Sequence, residues 1–434
     1  MNNYINVIGA GLAGCEAAYK IAESGINVRL FEMKKIKKSP AHSMDTFAEL
    51  VCSNSLKAER ISSAAGLLKK EMKMLGSLCI DAAYSSRVAA GGALAVERHT
   101  FSKLITEKIR NHPLIEVIDT VVEKIPDDAI TIIATGPLTD NALAEDIIRV
   151  CGANTLSFYD AAAPIITAES IDMTKAFSAA RYGRGTDDYI NCPMNKEEYE
   201  KFHEALISAE SAPLKEFDKR ISVYEGCMPI EILAKRGMDS IRFGPLKPVG
   251  LVDPRTERRP WAVVQLRMEN KEGTLYNIVG FQTNLKFSEQ KRVFSLITGL
   301  ENADFVRYGV MHRNSFIDSP RLLNEDLSLK SRPNIFVAGQ LSGVEGYMES
   351  AASGIVAGIN AVNKYNNEEC VKLPKITMIG SLLSYICDDS VRDFQPMGAN
   401  FGIIPSLETK IRDKQERYSA LAERSLEWYK NNNF

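Results

Sequence analysis

A short apolar run, Tyr4-Ile5-Asn6-Val7-Ile8, leads straight into Gly9-Ala10-Gly11-Leu12-Ala13-Gly14, and Cys15–Ser24 follows at helical spacing. Gly25 ends that helix, and Asn27–Glu32 forms a second apolar run. Strand, glycine turn, helix, strand is a βαβ unit, whose two strands must lie parallel in one sheet. No other feature constrains the fold as much, because it excludes all-helical and purely antiparallel architectures for this end of the chain. Gly9 permits the tight turn, Gly11 lets backbone approach a pyrophosphate, and Gly14 lets helix and strand pack closely. The helix N-terminus faces the phosphates. Glu32 ends the second strand, where a carboxylate accepts hydrogen bonds from ribose hydroxyls. A bare GxGxxG is a weak signal and is often only a structural turn. Here strand, helix, spacing and acidic residue agree, so residues Gly9, Ala10, Gly11, Leu12, Ala13, Gly14 and Glu32 are expected to hold a dinucleotide.

The acidic Glu32 suits an unphosphorylated ribose, hence FAD or NAD rather than NADP. A second strand–glycine–helix unit appears late, at Asn334–Gly339 followed by the small-residue run Gly346–Lys364. Its Val337-Ala338-Gly339-Gln340 turn favours FAD, since two-domain flavoproteins bring a later segment back over the flavin. Helices are also expected at Ala64–Leu75 and Phe101–Asn111, and a strand at Ala129–Ala134 before Thr135-Gly136-Pro137. Residues 34–73 show no comparable strand and read as a long active-site connection. The middle of the chain is richer in Tyr, Pro and charge. The fold class is therefore α/β: a Rossmann-like FAD-binding domain (1–160 and 306–434) interrupted by an inserted α+β domain (161–305).

Composition narrows the function. Of 434 residues, 45% are hydrophobic and 25% charged, as in globular proteins, and the net charge of −2 rules out histone-like behaviour. The longest mostly apolar stretch, near Ala351–Val362, is too short for a bilayer. The N-terminus lacks signal-peptide regions, so a cytoplasmic protein without membrane contact is expected. The eight cysteines contain no CxxC pair, so neither a disulfide scaffold nor a metal site is indicated.

Several segments resemble one family. Gly9–Glu16 (GAGLAGCE), Pro40–Leu56 (PAHSMDTFAELVCSNSL), Gly66–Ser77 (GLLKKEMKMLGS) and Gly91–Val96 (GGALAV) are similar to the folate- and FAD-dependent tRNA (uracil-5-)-methyltransferases. So are Gly226–Glu231 (GCMPIE), Phe243–Leu251 (FGPLKPVGL), Met311–Asn314 (MHRN) and Ala338–Gly354. The matches span the chain in order, and AELVCSNS is not a generic flavoprotein motif. The length fits as well, without the C-terminal helical extension of the related wobble-uridine modification flavoprotein. Cys15 departs from the small residue expected there, on the first helix and away from the chemistry. The resemblance implies transfer of a one-carbon unit from 5,10-methylenetetrahydrofolate to C5 of the T-loop uridine of tRNA. It implies FAD as carrier and reductant, NADH or NADPH as electron source, and Gly339, Gln340, Glu345 and Gly346 as further flavin contacts. No obligatory protein partner is expected.

That chemistry makes demands on particular residues. Uracil C5 is a poor nucleophile until a thiolate adds to C6, so a reachable, partly ionised cysteine is needed. Cys52 lies in a polar loop near Lys57 and Arg60, and Cys227 in the turn Gly226-Cys227-Met228-Pro229. The other cysteines sit in apolar or helical settings, such as Leu78-Cys79-Ile80, where inert packing is the ordinary role. Cys227 is assigned as the C6 nucleophile and Cys52 as its partner near the flavin, and the residues alone allow the reverse. Glu345, Glu349, His312 or a cysteine is available to take the C5 proton. His312, otherwise a structural histidine, is a candidate to stack on the pterin.

RNA requires phosphate contacts. Residues 20–73 hold 11 Lys/Arg against 6 Asp/Glu, and Lys34, Lys35, Lys37 and Lys38 directly follow Glu32. Arg255, Arg258 and Arg259 form a second cluster. Charge runs are usually solvated faces, but one on each domain suggests an electrostatic funnel. The run Lys410–Lys430 reads as a solvated helix. Three competing readings are the same chemistry on ribosomal RNA, a plain flavin reductase of a small molecule, and a non-catalytic RNA-binding flavoprotein. The last two leave Cys52 and Cys227 unexplained.

Overall fold

The computed structural model describes residues 3–39, 41–151, 156–161, 163–183, 186–212, 228–270, 272–309, 311–391 and 394–432. Tyr4–Ile8 and Asn27–Glu32 pair in parallel, as the βαβ pattern requires. They form the middle of a five-stranded sheet ordered Ile335–Val337, Thr131–Ile133, Tyr4–Ile8, Asn27–Glu32, Ile115–Asp119, with every pairing parallel. Ile5, Val7, Val28, Leu30, Ile132 and Phe336 are buried, as expected of strands covered on both faces. The expected α/β, Rossmann-like architecture is what forms.

Two helices rise from adjacent glycine turns, Leu12–Glu23 and Tyr347–Asn366. Their small residues let the backbones touch: a Cβ on Gly354 would lie 2.2 Å from the Ala13 carbonyl oxygen, and one on Gly358 3.0 Å from the Ala17 Cα. Because both helices follow parallel strands, both N-termini open at the carboxyl edge of the sheet. One edge therefore carries two sets of unpaired backbone N–H groups, a setting that favours anions.

A second sheet is antiparallel throughout, ordered Phe177–Ser178, Tyr189–Met194, Ala262–Met268, Leu275–Ile278, Ile165–Thr167, Phe305–Arg307. Its core gathers residues from Ile166 to Ala303, whereas the first core draws on Ile5 to Val150 and on Phe316 to Tyr429. The chain crosses between them along Leu156–Ala161 and Met311–Phe316, which pair antiparallel.

Three local expectations need correction. Ser55–Ala58 is a short strand on Ala93–Val96, inside the segment read as strandless. Its four residues alternate polar and apolar, with Leu56 buried and Lys57 exposed, but the run is too short to stand out in the sequence, and it forms because the partner strand offers an edge. The helix expected from Phe101 starts at Arg98, because the Glu97 carboxylate accepts the His99 and Thr100 N–H groups at 3.0 and 2.7 Å. The C-terminal helix, Lys414–Asn431, is not merely solvated. Tyr429 is fully buried, and the Glu71 carboxylate accepts from the Ser425 and Tyr429 hydroxyls and from the Met378 and Ile379 N–H groups. Among the described residues no helix is long and apolar enough to cross a membrane.

Candidate functional site

A cleft opens at the carboxyl edge of the parallel sheet. Gly9, Gly11, Leu12, Ala13 and Glu32 line it from the first βαβ unit, Ala134–Asp140 from the neighbouring strand, and Gly339, Gln340 and Tyr347 from the late turn. The glycines differ in what they require. Gly9 has φ +97°, and a Cβ there would meet the Ala134 carbonyl oxygen at 2.7 Å. A Cβ on Gly14 would lie 1.8 Å from the Gly9 carbonyl oxygen. These two serve the fold. Gly11 has an ordinary φ of −73°, and a Cβ there meets nothing nearer than 3.9 Å. The protein itself does not demand glycine at 11, so a molecule crossing that backbone is the remaining reason for it.

Glu32 is buried at the cleft wall, where its two oxygens accept the Ala10 and Lys34 N–H groups at 2.7 and 2.9 Å. Those bonds fix the carboxylate and leave further lone pairs for ribose hydroxyls. Donor set, helix ends and the open space over Gly11 together fit a dinucleotide. His42 also lines the cleft, with Nδ1 2.6 Å from the Ser39 hydroxyl. Burial, then Lys34, pushes its pKa down against the opposing pull of Glu49 and Glu32.

Beside the cleft, Ala48 and Lys57, both non-glycine residues with positive φ (49° and 65°), bracket the Cys52 loop. Such backbone persists only where its surroundings hold it. The Tyr347 hydroxyl accepts the Cys52 N–H at 2.8 Å and lies 2.9 Å from the Cys52 Sγ. Burial, then Cys52, pushes the Tyr347 phenol well above its ordinary value, so it stays protonated. Arginines reach under the loop from three directions. Arg98 donates to the Leu50 carbonyl at 2.7 Å. Arg267 donates to the Ser53 hydroxyl at 2.7 Å and to the Asn54 side-chain oxygen at 3.0 Å. Arg307 donates to the Val51 carbonyl. One buried carboxylate, Glu269, pairs with Arg98. Arg267 and Arg307 come from the second sheet, so the loop is clamped between the two cores.

The other expected site residues are placed as follows. Ala10 binds Glu32 through its N–H, and Gly14 packs under the turn. The Glu345 carboxylate accepts from the Gln340 side chain at 2.7 Å, and Gly346 caps the Tyr347–Asn366 helix with φ +123°. Glu349 is buried and paired with Lys57 at 2.8 Å. Cys227 lies outside the described residues. His312 lies in the strand Met311–Phe316, opposite Asp160.

Lys34 does not belong to a surface cluster. It is buried in the cleft, its Nζ donates to the Thr46 carbonyl, and a buried ammonium cannot meet an RNA phosphate. Lys35 pairs with Asp119, Lys37 with Asp140 and Lys38 with Asp45, so the apparent positive excess there is largely neutralised. Arg255 is held by Asp253 at 2.7 Å and by the Thr174 carbonyl at 2.9 Å. Arg258 and Arg259 are exposed and, among the described residues, have no ion-pair partner. The sequence reading missed Tyr347 and the three arginines. Tyr347 had one signal, its place directly after the glycine of the late turn.

Comparison with known proteins gives four findings. Residues 4–369 match the family described as glucose inhibited division protein A. A protein of Acetivibrio thermocellus named methylenetetrahydrofolate–tRNA-(uracil-5-)-methyltransferase TrmFO is 61% identical over 98% of both chains. One of the same name from Listeria monocytogenes is 57% identical, again over 98% of both. Among solved structures, Aquifex aeolicus GidA matches with a TM-score of 0.71 at 17% identity, over 98% of this chain and 75% of that one. The last likeness speaks for the fold alone.

Proposed function

Because this chain belongs to the methylenetetrahydrofolate–tRNA-(uracil-5-)-methyltransferases, within the glucose inhibited division protein A family, we propose that it makes 5-methyluridine at the T-loop uridine of tRNA. The donor is 5,10-methylenetetrahydrofolate. The observation that carries this reading is a cysteine loop clamped against a dinucleotide cleft, which is lined by Val51, the chain neighbour of Cys52, and by Tyr347, its hydrogen-bond partner. FAD, held by Gly9–Gly14, Glu32, Gly339 and Gln340, supplies the reducing equivalents that turn a methylene into a methyl group, and NADH or NADPH replenishes them.

The protein's own part is thiol chemistry and positioning. A thiolate, assigned to Cys227, adds to uracil C6 and makes C5 nucleophilic toward the methylene carbon. C5 bonds to the methylene carbon as one of that carbon's two C–N bonds to the folate breaks. A base takes the C5 proton as the second breaks and frees tetrahydrofolate. A hydride equivalent from the reductant completes the methyl group as the thiolate leaves and the C5–C6 double bond returns. Cys52 stands at the flavin edge as the second thiol. The Tyr347 hydroxyl fixes its direction, and the arginines beneath hold the loop. His312 is assigned to the pterin.

The test is mass spectrometry of tRNA after incubation with the protein, NADH and isotope-labelled methylenetetrahydrofolate. Label is expected at uridine C5 in the T-loop. Label arriving instead from methyl-labelled S-adenosylmethionine sinks the reading, and label only in ribosomal RNA redirects it. A finer prediction concerns Tyr347→Phe. It removes the acceptor of the Cys52 N–H and the partner of its sulfur while keeping the ring. Flavin content is expected to stay and methylation to fall about 10- to 100-fold, the range for leaving a buried donor unpaired. Unchanged turnover would show that the hydroxyl does not hold the loop.

A further inference from the structure

The second sheet carries an aromatic surface that the cleft chemistry does not use. Phe243 opens the FGPLKPVGL segment and is 66% exposed, and Trp261, just before the strand Ala262–Met268, is 38% exposed. The Arg242 guanidinium lies 4.5 Å from the Phe243 ring centre and 4.3 Å from that of Trp261, so one cation serves both rings. The Lys196 ammonium stands 5.8 Å from the Trp261 ring centre. These residues border a cleft of about 930 Å³ that Arg258 and Arg259 also line. Its two lining carboxylates are already engaged: Asp253 with Arg255, and Glu198 in the cap of its own helix. The unpaired charge left over, on Arg258 and Arg259, is positive.

Large exposed rings are costly to leave in water, and together with arginines they suit an occupant with both π-faces and negative charge. We infer that this surface is a base-stacking site for an unpaired nucleotide of the RNA substrate, with Phe243 and Trp261 as the stacking rings and Arg258 and Arg259 as phosphate contacts. The inference rests on the tRNA reading above. A duplex stem hides its base faces, so the occupant must be a loop or bulge nucleotide. The strand Ala262–Met268 sets the span. Trp261 stands at one end of it, and Arg267, six positions on, holds Ser53 beside Cys52. At about 3.3 Å per residue the two ends lie about 20 Å apart. The nucleotide stacked here is therefore not the one undergoing chemistry. Stacking of this kind adds grip and register without reading the base.

The protein has two tryptophans, Trp261 and Trp428, so a Trp428→Phe protein reports on Trp261 alone. With an unmodified tRNA transcript, its emission is expected to fall saturably. Phe243→Ala is expected to weaken tRNA binding about 10- to 50-fold without changing its salt dependence, and Phe243→Tyr to restore it. Arg258→Ala and Arg259→Ala should each lower the slope of log affinity against log salt by about one. Flavin content and circular dichroism check that each variant is folded. If tRNA binds while Trp261 emission stays constant and Phe243→Ala binds like the parent, the inference is overturned. It is equally overturned if Phe243→Ala changes the oligomeric state of the free protein, since the rings then cover a second copy. If the parent protein binds no tRNA, the proposed function itself fails, a result distinguishable from both.

Discussion

Cys52→Ala and Cys227→Ala proteins are expected to stay yellow and to lose methyl transfer by about 100-fold or more. Without a thiolate at C6, the C5 of uracil gains no nucleophilic character. Acid–base assistance alone, typically about 10²–10⁴-fold, does not replace a missing covalent step. Flavin retention follows for Cys52 from the geometry. Its loop is held by Tyr347, Arg98, Arg267 and Arg307 through backbone groups and neighbouring side chains, so removing one sulfur leaves the clamp intact. Cys79→Ala is the control. Cys79 is fully buried in the helix Leu78–Ser85, and burial pushes its thiol well above the ordinary range, so it remains protonated and inert. The measurement is single-turnover methylation of tRNA with flavin quantified in the same samples. Near-parental rates in both loop variants would end the covalent mechanism. If only one variant is dead, that cysteine is the nucleophile.

Gly11→Leu is expected to give colourless protein that folds as well as parental apoprotein. The argument rests on the contrast among the three glycines. At Gly9 and Gly14 a side chain collides with backbone, at 2.7 and 1.8 Å, so substitution there damages the fold. At Gly11 the backbone angles are ordinary and the nearest atom to a built Cβ is 3.9 Å away. The first carbon of a side chain here therefore fits the protein, and a leucine extends it into the space through which a pyrophosphate would pass. An overpacking cost of about 1–3 kcal/mol lowers flavin affinity about 5- to 150-fold, enough for the flavin to be lost during purification. Visible absorbance gives the flavin content, and thermal unfolding of both apoproteins gives the stability comparison. A yellow Gly11→Leu protein with full flavin would show that the fingerprint does not cradle the cofactor.

The residues near the N-terminus disclosed the parallel sheet and the glycine turn and put Glu32 at the end of the second strand, and family likeness at AELVCSNS directed attention to Cys52. These are local properties. Side-chain period separates strand from helix, and a glycine's tolerance of positive φ is written in the residue itself. What surrounds Cys52 was not legible in that way. Tyr347 is 295 positions from it, and Arg267 is 214 from Ser53. Contacts over such separations leave no periodic trace, because they exist only once two sheets have packed with the loop between them.

Charge shows the same division. Lys34, Lys35, Lys37 and Lys38 read as one basic cluster, yet Lys34 turns inward and the other three meet carboxylates brought in by folding. Arg255 looked equivalent to Arg258 and Arg259 until Asp253 engaged it. The sequence by itself determined which backbone conformations and chemical groups this protein has available. The tertiary structure alone decided which charges are cancelled and which thiol is held beside the cleft, because electrostatic pairing and hydrogen bonding depend on distance in space, and distance along the chain does not report it.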